Sequence, residues 1–227
     1  MKEHYSIAID GPSGAGKSTM AQAVAAALGC VYLDTGAIYR TVACHMALMG
    51  ISPRDGDGVR RLLDDVNIEI RFPGDGVQHM ILNGRDMTGE LRTPEISRKA
   101  SLVSAQPTVR AYLLEVQRDI AKQHSVIMDG RDIGTVVLPD ADVKIFLTAS
   151  PEIRARRRFL ELREKGHKKE TYDHVLEEMK QRDLQDSTRE IAPLRPADDA
   201  VIIDTSDCGV EESIRRILAV IREKLGQ

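Results

Sequence analysis

Apolar residues are concentrated in short runs that are separated by longer amphipathic stretches. Five of these runs are rich in valine and isoleucine and are typical of buried strands: Tyr5–Ile9, Cys30–Leu33, Val126–Met128, Val143–Leu147 and Val201–Ile203. Helical patterns follow most of them, for example over Ser18–Leu28 and Glu211–Leu225. Strands that alternate with helices predict an α/β fold, with a parallel sheet covered by helices on both faces.

The spacing of the runs is uneven, because roughly ninety residues separate the second run from the third. This is far more than a strand-to-helix connection needs, so we predict an insert at this point. Within it, Asn67–Phe72 and Val77–Asn83 flank the turn-forming segment Pro73–Gly76, which indicates a small antiparallel β unit. A helix is predicted to follow over about Pro94–Gln123, with an interruption near Pro107.

Composition and charge narrow the function class. The chain has 227 residues, 42% hydrophobic and 30% charged, which is enough for one α/β domain with inserted pieces. A formal net charge of −3 and an aromatic content of 4% argue against a nucleic-acid polymer or an anionic membrane as partner. The three cysteines form no CxxC pair, and no secretory signal is recognisable. We therefore expect a cytoplasmic protein, and a monomer, since no long apolar stripe calls for a partner.

The strongest motif lies between the first apolar run and the helix that follows it. The segment Gly11–Ser18 satisfies G-x-x-x-x-G-K-[ST], the phosphate-binding P-loop. In this motif glycines let consecutive N–H groups point at phosphate oxygens, Lys17 reaches the β- and γ-phosphates, and the Ser18 hydroxyl can bind Mg²⁺. A glycine-rich turn that only joins a strand to a helix is the plainer interpretation, but it seldom has both flanking elements. The predicted ATP-binding residues are Gly11, Pro12, Ser13, Gly14, Ala15, Gly16, Lys17, Ser18 and Thr19.

Other sequence features separate the classes of P-loop protein. The N-K-x-D element of guanine-specific GTPases is missing, because Asn67 and Asn83 are followed by Ile and Gly. Ser150 and Pro151 are typical of a helix start, and many basic residues follow them. We interpret residues 150–170 as a mobile lid over ATP, although a solvated charged face fits the same pattern. The basic residues are Arg154, Arg156, Arg157, Arg158, Arg163, Lys165, Lys168 and Lys169, with Gly166 as a hinge.

A second charged constellation lies further along the chain. Arg182, Asp186 and Arg189 are spaced i, i+4 and i+7, so that a helix would place them on one face. By spacing alone, a surface ladder of ion pairs is the favoured interpretation. Such pairs contribute only about 0.2–0.5 kcal/mol each.

Taken together, the motifs resemble those of the bacterial cytidylate kinase family. The matching segments are Gly11–Thr19 (GPSGAGKST), Leu33–Arg40 (LDTGAIYR), Asp129–Val137 (DGRDIGTVV), Asp142–Leu147 (DVKIFL) and Ala192–Leu194 (APL). The resemblance implies a single P-loop kinase domain over residues 1–227, with a five-stranded parallel core, a monophosphate-binding insert at 35–123 and a short lid. It also implies transfer of the γ-phosphoryl group from Mg·ATP to CMP or dCMP.

The resemblance further implies roles for individual residues. Ser101, Arg110 and Asp132 fall where the family reads cytosine, and Arg40 falls where it binds the acceptor phosphate. For the Arg182 helix the resemblance favours substrate contact over the ion-pair ladder. The implied CMP-binding set is Thr35, Arg40, Ser101, Arg110, Arg131, Asp132, Arg182, Asp186 and Arg189, and the implied catalytic set is Lys17, Arg131, Arg158 and Arg182.

Alternatives stay open at this point. One is a P-loop kinase for another small acceptor, such as UMP, AMP or a metabolite, against which the DGRD segment and the inserted β unit argue. Another is a nucleotide-dependent switch without any acceptor. Asp129, at the end of an apolar run, is predicted either to orient Mg²⁺ through water or to cap the next turn.

Overall fold

The computed structural model describes residues 4–73, 77–167 and 169–226. Its strands are β1 (Ser6–Asp10), β2 (Val31–Asp34), β3 (Ile68–Arg71), β4 (His79–Leu82), β5 (Arg85–Asp86), β6 (Val126–Gly130), β7 (Val143–Thr148) and β8 (Val201–Asp204). Its helices are α1 (Lys17–Leu28), α2 (Thr35–Leu48), α3 (Gly56–Asp65), α4 (Pro94–Val103), α5 (Pro107–Gln123), α6 (Pro151–Glu164), α7 (Tyr172–Thr188) and α8 (Val210–Leu225). A short 3₁₀ turn spans Thr88–Glu90 and a π-helical turn spans Ile133–Val137.

Five strands form a parallel sheet in the order β2-β6-β1-β7-β8. Each of the five apolar runs is one of these strands, within two residues at either end. Strand β1 is parallel to β7, with Ile7 opposite Val143, and β7 is parallel to β8. In such sheets ligands bind beyond the carboxyl ends of the strands, where neighbouring connections leave in opposite directions. The segment after β1 is therefore placed at the edge where a site is expected.

The remaining strands form an antiparallel sheet in the order β3-β4-β5. The predicted β unit is confirmed, with Ile68 opposite Leu82 in its first pair. Sequence reasoning missed β5, which pairs with β4 across a turn in which Asn83 and Gly84 both have positive φ. Of the predicted turn Pro73–Gly76, residues 74–76 lie outside the described part of the chain.

Local sequence signals explain several helix ends. The Thr93 hydroxyl caps α4, which ends before Pro107, so the predicted interruption of the long helix is confirmed. The Ser150 hydroxyl accepts a hydrogen bond from the Ile153 N–H at 3.3 Å, which confirms the predicted start of α6. In the described ranges no helix has both the length and the apolar character that crossing a bilayer requires.

The chain divides into two compact units. Unit 1 contains residues 1–5 and 30–128, and unit 2 contains residues 6–29 and 129–227. In unit 1, α2 packs on α4 and on β4. In unit 2, α1 and α8 pack on each other and on strands of the parallel sheet, and α6 packs on α7.

Candidate functional site

The P-loop follows β1 in unit 2, as the motif predicts. Gly11 has a φ of +148°, and a Cβ there would overlap the Leu147 carbonyl oxygen, so only glycine fits this close approach of two backbones. Gly16 precedes α1 with a φ of +89°, and its carbonyl accepts the first helical hydrogen bond from Met20 at 3.1 Å. The loop therefore leads directly into the N-terminus of α1, where free N–H groups and the helix dipole favour binding of an anion.

Lys17 is the cationic centre of this loop. Its side chain is buried, and its Nζ donates to the Pro12 carbonyl oxygen at 2.8 Å. Burial and, after it, the positive charge of Arg131 lower the pKa of Lys17 to about 7, against the opposing effect of Asp129. Cations that repel one another in this way favour the arrival of a polyanion such as a nucleotide polyphosphate.

Ser18 and Asp129 provide oxygen atoms next to the loop. The Ser18 hydroxyl donates to Asp129 Oδ2 at 2.8 Å, and the Asp129 carboxylate is buried at the end of β6. Mg²⁺ prefers hard oxygen donors and commonly uses one or two protein groups together with substrate phosphates. No group of three or more His, Cys, Asp or Glu side chains among the described residues could hold a metal by itself. The donors therefore fit Mg²⁺ that arrives with a nucleotide.

Asp10 is a buried residue of the site that sequence reasoning missed. Its Oδ1 accepts from the Ile133 N–H at 2.8 Å, and its Oδ2 accepts from the Gly134 N–H at 2.7 Å. These bonds hold the start of the π-helical turn that follows Asp132, and such turns are frequent at functional sites. Burial raises the pKa of Asp10 to about 6, against the opposing effect of the two backbone hydrogen bonds. An aspartate that ends an apolar strand directly before a P-loop was the available signal.

The Asp10 carboxyl group predicts a specific pH dependence. The free energy of unfolding of the wild type, relative to Asp10→Asn, should fall as the pH rises from about 4 to about 6. The pKa is higher in the folded than in the unfolded chain, so the folded protein binds more protons in this window and a rise in pH favours unfolding. A difference of one in the pKa of Asp10 between the folded and the unfolded chain corresponds to about 1.4 kcal/mol in the free energy of unfolding. Urea unfolding of both proteins across this pH range measures the relative free energy of unfolding. A relative free energy that stays constant or rises with pH would contradict the raised pKa of Asp10.

The charged side chains that follow β6 pair with the end of α7. Arg131 Nε donates to Asp186 Oδ2 at 2.9 Å, and Arg189 Nη2 donates to Asp132 Oδ1 at 3.3 Å. Although burial acts to raise it, the neighbouring guanidinium of Arg131, and then that of Arg182, lowers the pKa of Asp186. Unit 2 therefore brings together the predicted catalytic and substrate residues that it contains, with the exception of Arg158 on α6.

The surface ion-pair ladder that spacing favoured for α7 is wrong. Asp186 is only 4% exposed, and it pairs with Arg131, which lies 55 positions earlier in the chain. Arg189 lies just beyond the last helical residue, and its side chain is 7% exposed. Spacing along one helix could not reveal these partners, because they belong to another element.

The predicted substrate residues of unit 1 lie on α2, α4 and α5. Arg40 Nη2 donates to Asp34 Oδ2 at 2.7 Å, and Asp34 also caps α2, which begins with the buried Thr35. The Arg110 guanidinium lies 5.8 Å from the centre of the Tyr39 ring and donates to the Ser104 carbonyl oxygen. Within the part of the chain that the structure describes, the buried hydroxyl of Ser101 and Nε of Arg40 have no hydrogen-bond partner. Such atoms suit a polar ligand.

Several of the predicted lid arginines have partners within the protein. Arg157 donates to the carbonyl oxygen of Thr205 at 2.6 Å, and Arg154 is 3% exposed and bonds to backbone carbonyl groups. Arg158 pairs with Glu161 at 2.8 Å and stays partly exposed. Gly166, at the end of α6, has a φ of +84°, and Lys168 lies outside the described residues.

Comparisons with known proteins agree on one family. A family model described as cytidylate kinase matches residues 7–223. The chain is 48% identical over 220 residues to a cytidylate kinase of Caldicellulosiruptor saccharolyticus, covering 97% of this chain and 96% of the relative. It is 50% identical over 218 residues to a cytidylate kinase of Carboxydothermus hydrogenoformans, covering 96% and 97%. An uncharacterized protein of Eubacterium ventriosum has a similar fold, with a TM-score of 0.52 and 14% identity over 97% of this chain and 99% of that one.

Proposed function

The chain belongs to the cytidylate kinase family, and we propose on this basis that it transfers the γ-phosphoryl group of ATP to CMP or dCMP, giving CDP or dCDP. The observation that carries this proposal is the family match across residues 7–223, which includes the P-loop, the DGRD turn and α7. The alternative acceptors and the switch without an acceptor have no observation in their favour.

The donor half of the reaction is assigned to the P-loop. Backbone N–H groups of Gly11–Thr19 and the N-terminus of α1 bind the ATP phosphates, and Lys17 neutralises charge on the transferring group. Ser18, held by Asp129, would provide the protein ligand for Mg²⁺. When bound, Mg²⁺ would supply positive charge to the ATP phosphates. Asp129 would orient the metal through Ser18 or through water.

The acceptor half needs positioning more than base catalysis. A phosphate monoester is already an anion, and the transition state of phosphoryl transfer is loose, so the protein mainly aligns the reactants and neutralises charge. Arg131 and Arg182 are assigned this neutralising role, because both lie close enough to the Lys17 ammonium to lower its pKa. Arg158 is assigned to the donor phosphates when the lid closes.

CMP recognition is assigned to individual residues by family resemblance. Ser101, Arg110 and Asp132 read the base, while Arg40 and Arg131 bind the acceptor phosphate. Arg182, Asp186 and Arg189 are assigned to the sugar and phosphate, and Thr35 supplies a hydroxyl group. The ligand-suited atoms of Ser101 and Arg40 support the part of this assignment that lies in unit 1.

Residues 35–123 are proposed as the monophosphate-binding insert, and residues 150–170 as the lid. Exposed basic side chains on α6 and the glycine at its end support a segment that closes over ATP. Trypsin cleavage at Arg158 and Arg163 should then be slower with a bisubstrate analogue than without it. Equal cleavage rates would favour a solvated charged face.

A cytoplasmic monomer is proposed, with ATP, CMP and dCMP as its partners and neither a nucleic-acid polymer nor a membrane among them.

An acceptor screen tests the proposed function. ADP formation from Mg·ATP should be strongly stimulated by CMP and dCMP and much less by UMP, AMP or GMP. Stimulation by another monophosphate would make the protein a kinase for that acceptor. ATP turnover that no acceptor changes would leave only a nucleotide-dependent switch.

A further inference from the structure

Arg154 is a buried arginine that bonds to several parts of unit 2. Its Nε donates to the Ala149 carbonyl oxygen at 2.7 Å, at the end of β7, and its Nη1 donates to the Ser13 carbonyl oxygen of the P-loop at 3.0 Å. Nη1 and Nη2 also donate to the two oxygens of Asp183 on α7, at 3.2 and 2.6 Å. One side chain on α6 therefore connects the P-loop, the end of a core strand and α7.

The backbone of the P-loop lies directly against the same two helices. A Cβ on Gly14 would be 3.1 Å from Met179 Cε and 3.2 Å from Arg154 Cβ, closer than the contact distance of about 3.5–4.0 Å that carbon atoms prefer. Gly14 also has a φ of +76°. The general P-loop motif leaves this position free. In this protein glycine is favoured there, because any other residue would be strained at this φ and its Cβ would crowd α6 and α7.

The contacts of Arg154 are specific to the guanidinium group. A planar fork that forms a bidentate pair with a carboxylate has a fixed geometry, which a lysine ammonium cannot reproduce. Four hydrogen bonds occupy most of its five N–H donors. A charge buried this deeply is tolerated only when it is paired, and removing one partner leaves the other uncompensated. The Arg154 guanidinium is therefore occupied by contacts within the protein. The sequence-based interpretation of this residue as a lid cation over ATP is wrong.

We infer that Arg154 is a positioning residue for phosphoryl transfer, acting through the P-loop. By holding the Ser13 carbonyl and Asp183 at once, it keeps the phosphate-binding backbone at a fixed position relative to α7, which carries Arg182 and Asp186. In-line transfer needs its reacting atoms aligned within a fraction of an ångström, and a shift of about 1 Å can cost about 100-fold in rate. This inference rests on the proposed kinase function.

Steady-state kinetics of five proteins test it: wild type, Arg154→Met, Arg154→Lys, Asp183→Asn and the double variant of Arg154→Met with Asp183→Asn. In Arg154→Met, kcat should fall by about 100-fold and the KM for ATP should rise, because the loop is no longer held in register. Arg154→Lys, which keeps the charge without the fork, should recover only part of the activity. In the double variant, the combined loss should be smaller than the sum of the two single losses, since both changes break the pair between Arg154 and Asp183.

Asp142→Asn is the matched control for Asp183→Asn. The Asp142 carboxylate accepts from the N–H and hydroxyl of Ser6, at 2.9 and 3.3 Å, at the opposite end of β1 from the P-loop. We expect it to lower the temperature of unfolding without changing kcat or either KM by more than about twofold. If Arg154→Met also lowers the temperature of unfolding but changes neither kcat nor either KM by more than about twofold, Arg154 has only a structural role and the inference is overturned.

Binding of a non-hydrolysable ATP analogue separates this inference from the proposed function. Calorimetric titration with Mg·AMP-PNP reports on the P-loop without any acceptor. If wild type fails to phosphorylate CMP, the proposed function fails, yet weaker analogue binding by Arg154→Met and Arg154→Lys would still support the positioning role. Unchanged analogue binding by variants that fold would overturn it. Should Arg154→Met fail to fold, Arg154→Lys and Asp183→Asn supply the same comparison.

Discussion

Replacement of Lys17 by alanine will reduce phosphoryl transfer from ATP to CMP by about a thousandfold or more. The Lys17 ammonium is buried at the start of α1, where it donates to Pro12 and has Arg131 and Arg182 as its neighbouring cations. A preorganised charge in a site that excludes water stabilises the transition state far more than the same charge in solvent. Coupled measurement of ADP formation at saturating CMP gives the loss in kcat.

The fold should survive this substitution. Removing the Lys17 ammonium relieves repulsion with two arginines, although it leaves the Pro12 carbonyl oxygen without its donor. Thermal unfolding of wild type and variant checks this point. Lys144→Met is a suitable control, because it removes a mostly buried lysine of β7 whose partner is Asp199. Near-normal turnover by a folded Lys17→Ala protein would mean that Gly11–Ser18 is not the catalytic phosphate loop.

Replacement of Asp132 by alanine will lower kcat/KM for CMP by roughly ten- to a hundredfold, with a smaller loss for UMP. Cytosine offers an amino donor at position 4, whereas uracil offers an oxygen there, so a carboxylate accepts from the first and is repelled by the second. A good contact of this kind contributes about 1–3 kcal/mol of discrimination. The quantity to measure is the ratio of kcat/KM for CMP to that for UMP.

The ion pair between Asp132 and Arg189 calls for a specific control. Both side chains are 7% exposed, so Asp132→Ala also leaves a buried guanidinium without its carboxylate. Displacement of Arg189 alone should weaken the binding of CMP and of UMP about equally, because this arginine is assigned to the sugar and phosphate, which both nucleotides share. Arg189→Lys, which keeps a cation for Asp132 without the guanidinium fork, should therefore leave the ratio unchanged. An unchanged ratio in Asp132→Ala as well would assign Asp132 a structural role.

Features that depend on near neighbours in the chain could be predicted from the sequence. The P-loop was one of them, because Gly11 and Gly16 have the positive φ that the local loop backbone requires. The start of α6 at Ser150 and the break before Pro107 were others, since capping and proline geometry act within one helical turn. Apolar runs located the strands, because a strand buried on both faces is a continuous local run of apolar residues.

Partners that lie far apart in the chain could not be predicted in this way. Asp10 bonds to the turn that holds Ile133, 123 positions later, and Arg154 bonds to Ser13 across 141 positions. Asp186 pairs with Arg131, although its spacing to Arg182 had favoured a surface ladder. A residue pattern reports which side chains share a face of one element, but it does not report what that face meets.

The sequence by itself determined the chemistry of this protein: a loop that binds phosphate, a strand-and-helix alternation that buries a parallel sheet, and the motifs of one kinase family. The tertiary structure alone decided the order β2-β6-β1-β7-β8, and with it which charged groups meet. Buried arginines and carboxylates depend on that order most strongly. A charge removed from water is stable only beside a partner of opposite sign, and the packing of distant elements determines where that partner lies.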